Sequence, residues 1–142
     1  MSDVNPMPGG CSYADAIHEE SRNAIKDPLS VFELGCGNGG NLAKFTTSNI
    51  RVGIDPSEEN ITAANQRDGI SAILADHTYM ENFLTDEFDL GITVSVLNHI
   101  PSLNPALNSM MRICSKLILF EPTIRGENRQ AKKGESSRYK AT

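Results

Sequence analysis

Apolar residues in this chain come in short runs, separated by polar stretches with a helical rhythm. The runs are "VFEL" at 31–34, "IRVGID" at 50–55, "ISAILAD" at 70–76, "FDLGITVSVL" at 88–97 and "KLILFEP" at 116–122. Each is too short for a core helix and is rich in β-branched and aromatic residues, so each predicts a buried strand or contains one. The segments between them predict helices. Residues 12–26 have Ser12 as a possible N-cap, Tyr13, Ile17, Ala24 and Ile25 near one face, and Pro28 just beyond. Residues 41–47 follow a glycine cluster and suit a helix. In 56–69, Ser57 is placed to cap, Glu58 and Glu59 complement the positive end, and Gly69 stops the helix. In 105–115, Leu107, Met110, Met111 and Cys114 recur at helical spacing.

Strand–helix–strand alternation predicts an α/β fold, a Rossmann-like doubly wound sheet of about five parallel strands with helices on both faces. Ligands of such sheets bind at the carboxyl ends of the strands. The polar residues that stand out follow strand ends: the glycines of 35–40, Asp55, Asp76 with His77, the segment 95–99, and Glu121.

Length allows one domain with a single sizeable core, since the chain has 142 residues. Residues 1–11, rich in Pro and Gly, are expected to be a disordered lead-in, 12–124 the domain, and 125–142 a flexible basic tail. The tail carries six basic residues against two acids, so the overall charge of −5 leaves −9 on residues 1–124. An acidic body repels phosphate backbones, which disfavours nucleic acid as a partner. No apolar stretch has the roughly 20 residues a membrane span needs, and the N-terminus does not read as a secretion signal. The expected location is the cytoplasm. Cys11, Cys36 and Cys114 stand far apart with no C-x-x-C pair, so neither a metal site nor a redox dithiol is indicated.

The chemistry concentrates at "FELGCGNGG". A glycine-rich turn from strand to helix lets a ligand approach the backbone and presents helix N–H groups. Gly35, Gly37 and Gly40 satisfy G-x-G-x-x-G, and Asp55 lies 20 residues after Gly35, where an acid accepts from ribose hydroxyls. That alone fits a dinucleotide, and an NAD-dependent oxidoreductase stays open as the less favoured reading. Three features point elsewhere. Glu33 lies within the first strand, where a carboxylate repels a pyrophosphate but suits a cation. Asp76 places another acid after the third strand, where it can accept from an adenine amine. The glycine loop holds no Arg or Lys to meet phosphate. An adenosine joined to a positive charge, without phosphate, describes S-adenosyl-L-methionine.

These stretches resemble, in order, the motifs of class I S-adenosylmethionine-dependent methyltransferases. "FELGCGNGGNLAKF" resembles the glycine motif and "VGIDPSEENITAA" the ribose acid motif. "AILADHTY" resembles the adenine-side acid, "FDLGITVSVLNHIPS" the fourth-strand motif, and "MMRICSKLILFEP" the helix and strand that follow. The resemblance covers about residues 30–122. It implies that Gly35, Cys36 and Gly37 line the methionine and ribose, and that Glu33 orients the loop and the cofactor's ammonium. It also implies that Asp55 holds the ribose hydroxyls with Pro56 or Ser57 beside the adenine. Asp76 would accept from the adenine amine near the His77 backbone, and Val94 and Ser95 would offer backbone to the methionine part. His99, where the family often has His-His and this chain has Asn-His, is the candidate catalytic base.

Two departures qualify the resemblance. The family's sheet ends in an antiparallel hairpin, which needs roughly 30 further residues at ordinary element lengths. Only 20 follow Pro122, so the hairpin is expected to be missing. That would leave the fifth strand as an edge for a second copy or a partner to cover. The Asn/Asp-Pro-Pro-aromatic motif of exocyclic-amine methylation is also absent after the fourth strand, where "SVLNHIP" stands. Together with the acidic body, this favours a small-molecule acceptor. The alternative is a truncated or inactive methyltransferase-like subunit that binds the cofactor.

Overall fold

The computed structural model describes residues 13–97, 100 and 103–120. Five parallel strands form one sheet: β1 (Ser30–Leu34), β2 (Ile50–Asp55), β3 (Ile70–Leu74), β4 (Phe88–Val94) and β5 (Cys114–Phe120), in the order β3-β2-β1-β4-β5. The chain winds outward from β1 through β2 to β3, then returns to place β4 on the other side of β1. The reversal opens a crevice above the carboxyl ends of β1 and β4, the usual ligand position in such sheets.

Side-chain alternation along β1 explains the two-sided core. Val31 faces Ile17 of α1 (Tyr13–Ala24), with Ile61 and Ala64 of α2 (Glu58–Asn65) and Leu90, Ile92 and Ile118 of the sheet in the same cluster. Phe32 and Leu34 face the other way, into a cluster with Met110 and Ile113 of α3 (Leu103–Ile113), Met80, Phe88 and Leu117. Phe32, Phe83 and Phe88 meet with ring centroids 5.2–5.5 Å apart. Each such side chain contributes about 1.5–3 kcal/mol when fully buried.

Four local features differ from expectation. The segment 41–47 forms only a single 3-10 turn, Leu42–Lys44. The β-branched Thr46 and Thr47 follow it, and the chain is then tied down where Ser48 Oγ donates to Pro28 O at 2.6 Å. β3 stops at Leu74, before Asp76. There the Asp76 side chain caps a 3-10 helix, His77–Asn82, by accepting from Thr78 N. α3 ends at Ile113 rather than 115, and Cys114 opens β5 instead of ending the helix. A Cβ on Gly91 would lie 2.4 Å from Cys114 Sγ, so the missing side chain on β4 makes room for that junction. Glu121 and the basic tail lie outside the described residues.

Candidate cofactor site

The glycine loop starts where β1 ends. Gly35 N and Cys36 N both donate to Ile54 O, at 2.8 and 3.0 Å, which fastens the loop's entry to β2. Gly35 has φ +74, and a Cβ there would stand 2.3 Å from Val96 Cγ2. The position therefore demands glycine on both conformational and steric grounds. Gly37 has φ +56, but a Cβ there would meet nothing within 4 Å. The space in front of Gly37 is open, and its backbone is accessible to a ligand.

Asp55, only 9% exposed at the end of β2, organises this loop. Its Oδ1 accepts from Gly37 N at 3.1 Å. Its Oδ2 accepts from Ser57 N at 3.0 Å and from Asn60 Nδ2 at 3.2 Å. Ser57 Oγ in turn accepts from Asn60 N at 3.2 Å, the capping bond expected from sequence. A carboxylate oxygen accepts about two hydrogen bonds, so Oδ1 retains capacity for a ribose hydroxyl. Pro56 beside it is exposed and Ser57 half-buried.

Glu33 is 1% exposed. Its Oε2 accepts from Asn41 Nδ2 at 2.9 Å, while Oε1, also buried, has no hydrogen-bond partner among the described residues. Burial pushes its carboxyl up to about 8, the nearby Asp55 adds to the rise, and the Asn41 hydrogen bond opposes it. A buried carboxylate oxygen without a partner is costly unless something cationic or donating completes it. The α-ammonium of an amino-acid ligand would do so. The Glu33 oxygen and the bare Gly37 backbone are therefore the two points at which this chain fits S-adenosylmethionine.

Cys36 packs downward. A Cβ on Gly53 would be 2.4 Å from Cys36 Cβ and 2.7 Å from its Sγ, so the thiol sits in the space glycine leaves on β2. Burial, then Glu33 and Asp55, push it up to about 12. The side chain is core, and what Cys36 offers a ligand is backbone.

The remaining candidates lie along the same rim. Asp76 follows β3 and is exposed; its Oδ1 accepts from Thr78 N at 2.9 Å and Thr78 Oγ1 at 2.5 Å. The Thr78 hydroxyl and then its amide hold the Asp76 carboxyl below its ordinary value. His77 is half-buried beside it. At the end of β4, Val94 is half-buried and Ser95 has φ +58, in the left-handed region, with its N–H donating to Phe120 O at 2.8 Å. Asp76, Asp55, Glu33 with Gly35, and Ser95 thus stand at the carboxyl ends of four adjacent strands in the order β3, β2, β1, β4. Three strand spacings of about 4.8 Å make a rim of roughly 14 Å, room for a nucleoside joined to an amino acid. His99 lies outside the described residues.

Sequence reasoning missed Asn41, Asn60 and Val96. Asn60 had a signal, because it stands three residues after the capping Ser57, where a side chain faces back toward the helix start. Asn41 and Val96 gave none; their contacts exist only once the loop is folded.

A five-stranded parallel sheet with a glycine loop on its first strand and an acid after its second defines a Rossmann-like nucleoside-binding fold. The chain belongs to the methyltransferase-domain family, whose model matches residues 32–117, and it is a class I S-adenosylmethionine-dependent methyltransferase domain. It is 32% identical over 120 residues to the bifunctional methionine biosynthesis protein MetXA/MetW of Rhodopirellula baltica, covering 76% of this chain and 19% of that protein. Among solved structures it resembles the plantazolicin methyltransferase BpumL, in complex with a monoazolic desmethylPZN analog and SAH. That match has a TM-score of 0.62 and 17% identity, over 91% of this chain and 56% of the other. YcgJ of Bacillus subtilis matches with a TM-score of 0.62 and 15% identity, over 72% of this chain and 50% of the other. The bifunctional kinase-methyltransferase WbdD matches with a TM-score of 0.61 and 26% identity, over 75% of this chain and 27% of the other. The chain thus spans about a fifth of MetXA/MetW and little more than half, or less, of these three structures. No helix among the described residues is long and apolar enough to cross a membrane.

Proposed function

We propose that this chain binds S-adenosylmethionine along the β3-β2-β1-β4 rim and transfers its methyl group to a small-molecule acceptor. The observation that carries the reading is the buried Glu33, whose Oε1 has no hydrogen-bond partner among the described residues and stands beside a glycine loop that contains no Lys or Arg of its own. Arg67, which reaches the loop from beyond α2, is engaged with Asn38 O. An ammonium group gains a carboxylate partner there, whereas a phosphate gains none.

In this reading Glu33 holds the α-ammonium and Asp55 the ribose hydroxyls. Asp76 accepts from the adenine amine, with the His77 backbone nearby and Pro56 or Ser57 beside the ring. Gly35, Gly37 and the backbone of Cys36 give the methionine and ribose close access, and Val94 and Ser95 supply backbone on the β4 side. Val96, packed on Gly35, keeps water from that end of the loop. The bound cofactor supplies an electrophilic methyl on a sulfonium whose departure leaves a neutral thioether. The protein's work is then chiefly positioning and desolvation. The acidic body and the absence of an Asn/Asp-Pro-Pro-aromatic motif after β4 support a small acceptor over nucleic acid. The free, buried thiol of Cys36 suits a reducing, cytoplasmic setting.

The test is a thermal-shift titration followed by calorimetry. S-adenosylhomocysteine should raise the melting temperature, and NAD and NADP should not. Stabilisation by NAD alone would overturn the reading.

A second reading is favoured by the match to a segment making up about a fifth of a bifunctional protein. Here the chain is a cofactor-binding subunit that works with a partner. Cofactor binding without turnover on any small acceptor, together with a complex in gel filtration against a candidate partner, would favour it.

A further inference from the structure

Asn41 begins the 3-10 turn Leu42–Lys44, a place where asparagine ordinarily turns its side chain onto the turn's own N–H groups. It makes no such cap. Its amide instead reaches across the loop and donates from Nδ2 to Glu33 Oε2 at 2.9 Å. The bond runs from a half-buried side chain to a carboxyl that is 1% exposed and whose other oxygen lacks a partner among the described residues. An amide nitrogen can only donate, so this bond favours the carboxylate over the carboxylic acid.

We propose that Asn41 is a positioning residue for the cofactor, its amide favouring the anionic form of Glu33 that receives the α-ammonium group. The inference rests on the binding reading above and concerns how that one subsite is tuned.

The surroundings of Glu33 leave the tuning to few groups. Its register neighbours in the sheet, Gly53 on β2 and Ile92 on β4, carry no charge. Asp55, at the end of β2, opposes ionisation, and so does burial; Asn41 acts the other way. Cys36 in the loop is held in its neutral thiol form. On the face of the sheet that α1 and α2 cover, Arg67 Nε donates to Asn38 O of the loop at 2.8 Å and Arg51 Nη1 donates to Leu42 O at 3.2 Å, while Lys44 pairs with Asp15 and His18 packs edge-on against Phe45. None of these contributes to the shift of the Glu33 carboxyl. Without cofactor, Glu33 carries a proton at neutral pH. Binding an ammonium group sends that proton to solvent, leaving carboxylate and ammonium paired.

The experiment measures S-adenosylhomocysteine affinity by calorimetry from pH 6.5 to 9, for the wild type, Asn41→Leu and Asn41→Ala, with Glu33→Gln as reference. Melting curves confirm that each variant is folded; the smaller alanine serves if leucine does not fit. The wild type should release close to one proton on binding at pH 7, seen by comparing buffers of different ionisation enthalpy, and Glu33→Gln none. Loss of the Asn41 donor should weaken binding at least fivefold at pH 6.5–7. That ratio should shrink toward one as the pH passes 8, because the amide is no longer needed once Glu33 has ionised. Titration of the ligand's own amine affects every protein equally and cancels from the ratio. A loss of the same size at every pH would mean that Asn41 merely shapes the loop, and no loss at any pH would mean it does nothing for the ligand; either overturns the inference. A wild type that binds no S-adenosylhomocysteine overturns the functional reading, and the inference with it.

Discussion

Single residues in this chain show what sequence can and cannot display. Glu33 and Asp55 were legible because an acid inside or just after an apolar strand demands an explanation. Thr93 was not, since threonine is ordinary in a strand and nothing in the sequence says where its hydroxyl points. In the structure its Oγ1 is fully buried and has no hydrogen-bond partner among the described residues. A buried hydroxyl left unsatisfied costs about 1–3 kcal/mol, and a methyl of the same shape carries no such cost. Thr93→Val should therefore raise stability by about 1 kcal/mol in urea unfolding, and a clear loss would reveal a bonded hydroxyl. Gly35→Ala should behave oppositely. The added Cβ collides with Val96 and forces a left-handed backbone on alanine, which alone costs roughly 1–2 kcal/mol. Its melting temperature should fall by several degrees, and S-adenosylhomocysteine affinity should drop tenfold or more.

Among the elements, those with a strong period or a clear cap were read well. The five strands fall where the apolar runs stand, and α2 starts at Glu58 behind its Ser57 cap. Ser57→Ala removes the oxygen that accepts from Asn60 N, so it should destabilise the protein by about 1 kcal/mol in urea unfolding. An unchanged midpoint would show that Asp55, which holds the same residues, suffices. Boundaries set by partners distant in sequence were less legible. The expected helix at 41–47 shrank to one turn because Ser48 is anchored to Pro28, 20 residues earlier. The start of β5 at Cys114 depends on the glycine at position 91 of β4. The 3-10 helix after Asp76 rests on a side-chain bond to Thr78 that apolar periodicity does not register.

At the scale of the whole molecule, α/β alternation was evident from the sequence, but the strand order and the two-faced core emerge only from assembly. One global consequence is a pH-dependent stability. The Glu33 carboxyl lies near 4.5 when exposed and near 8 when folded. The folded state therefore holds a proton that the unfolded chain gives up between those values. Its contribution is fully present below about pH 4.5, declines as pH rises, and is gone above about 8. Glu33→Gln should lose this slope and be more stable than the wild type at pH 8.5, as denaturant unfolding at pH 6 and 8.5 would show; parallel slopes would place the proton elsewhere. Cys36, seated in the gap that Gly53 leaves beneath the glycine loop, has a consequence of another kind. Shielded and held as a thiol, it is open to a sulfhydryl reagent only while the loop is lifted from β2. Its rate of labelling is therefore a clock that counts the loop's excursions, and any ligand settling on the rim should slow its ticking.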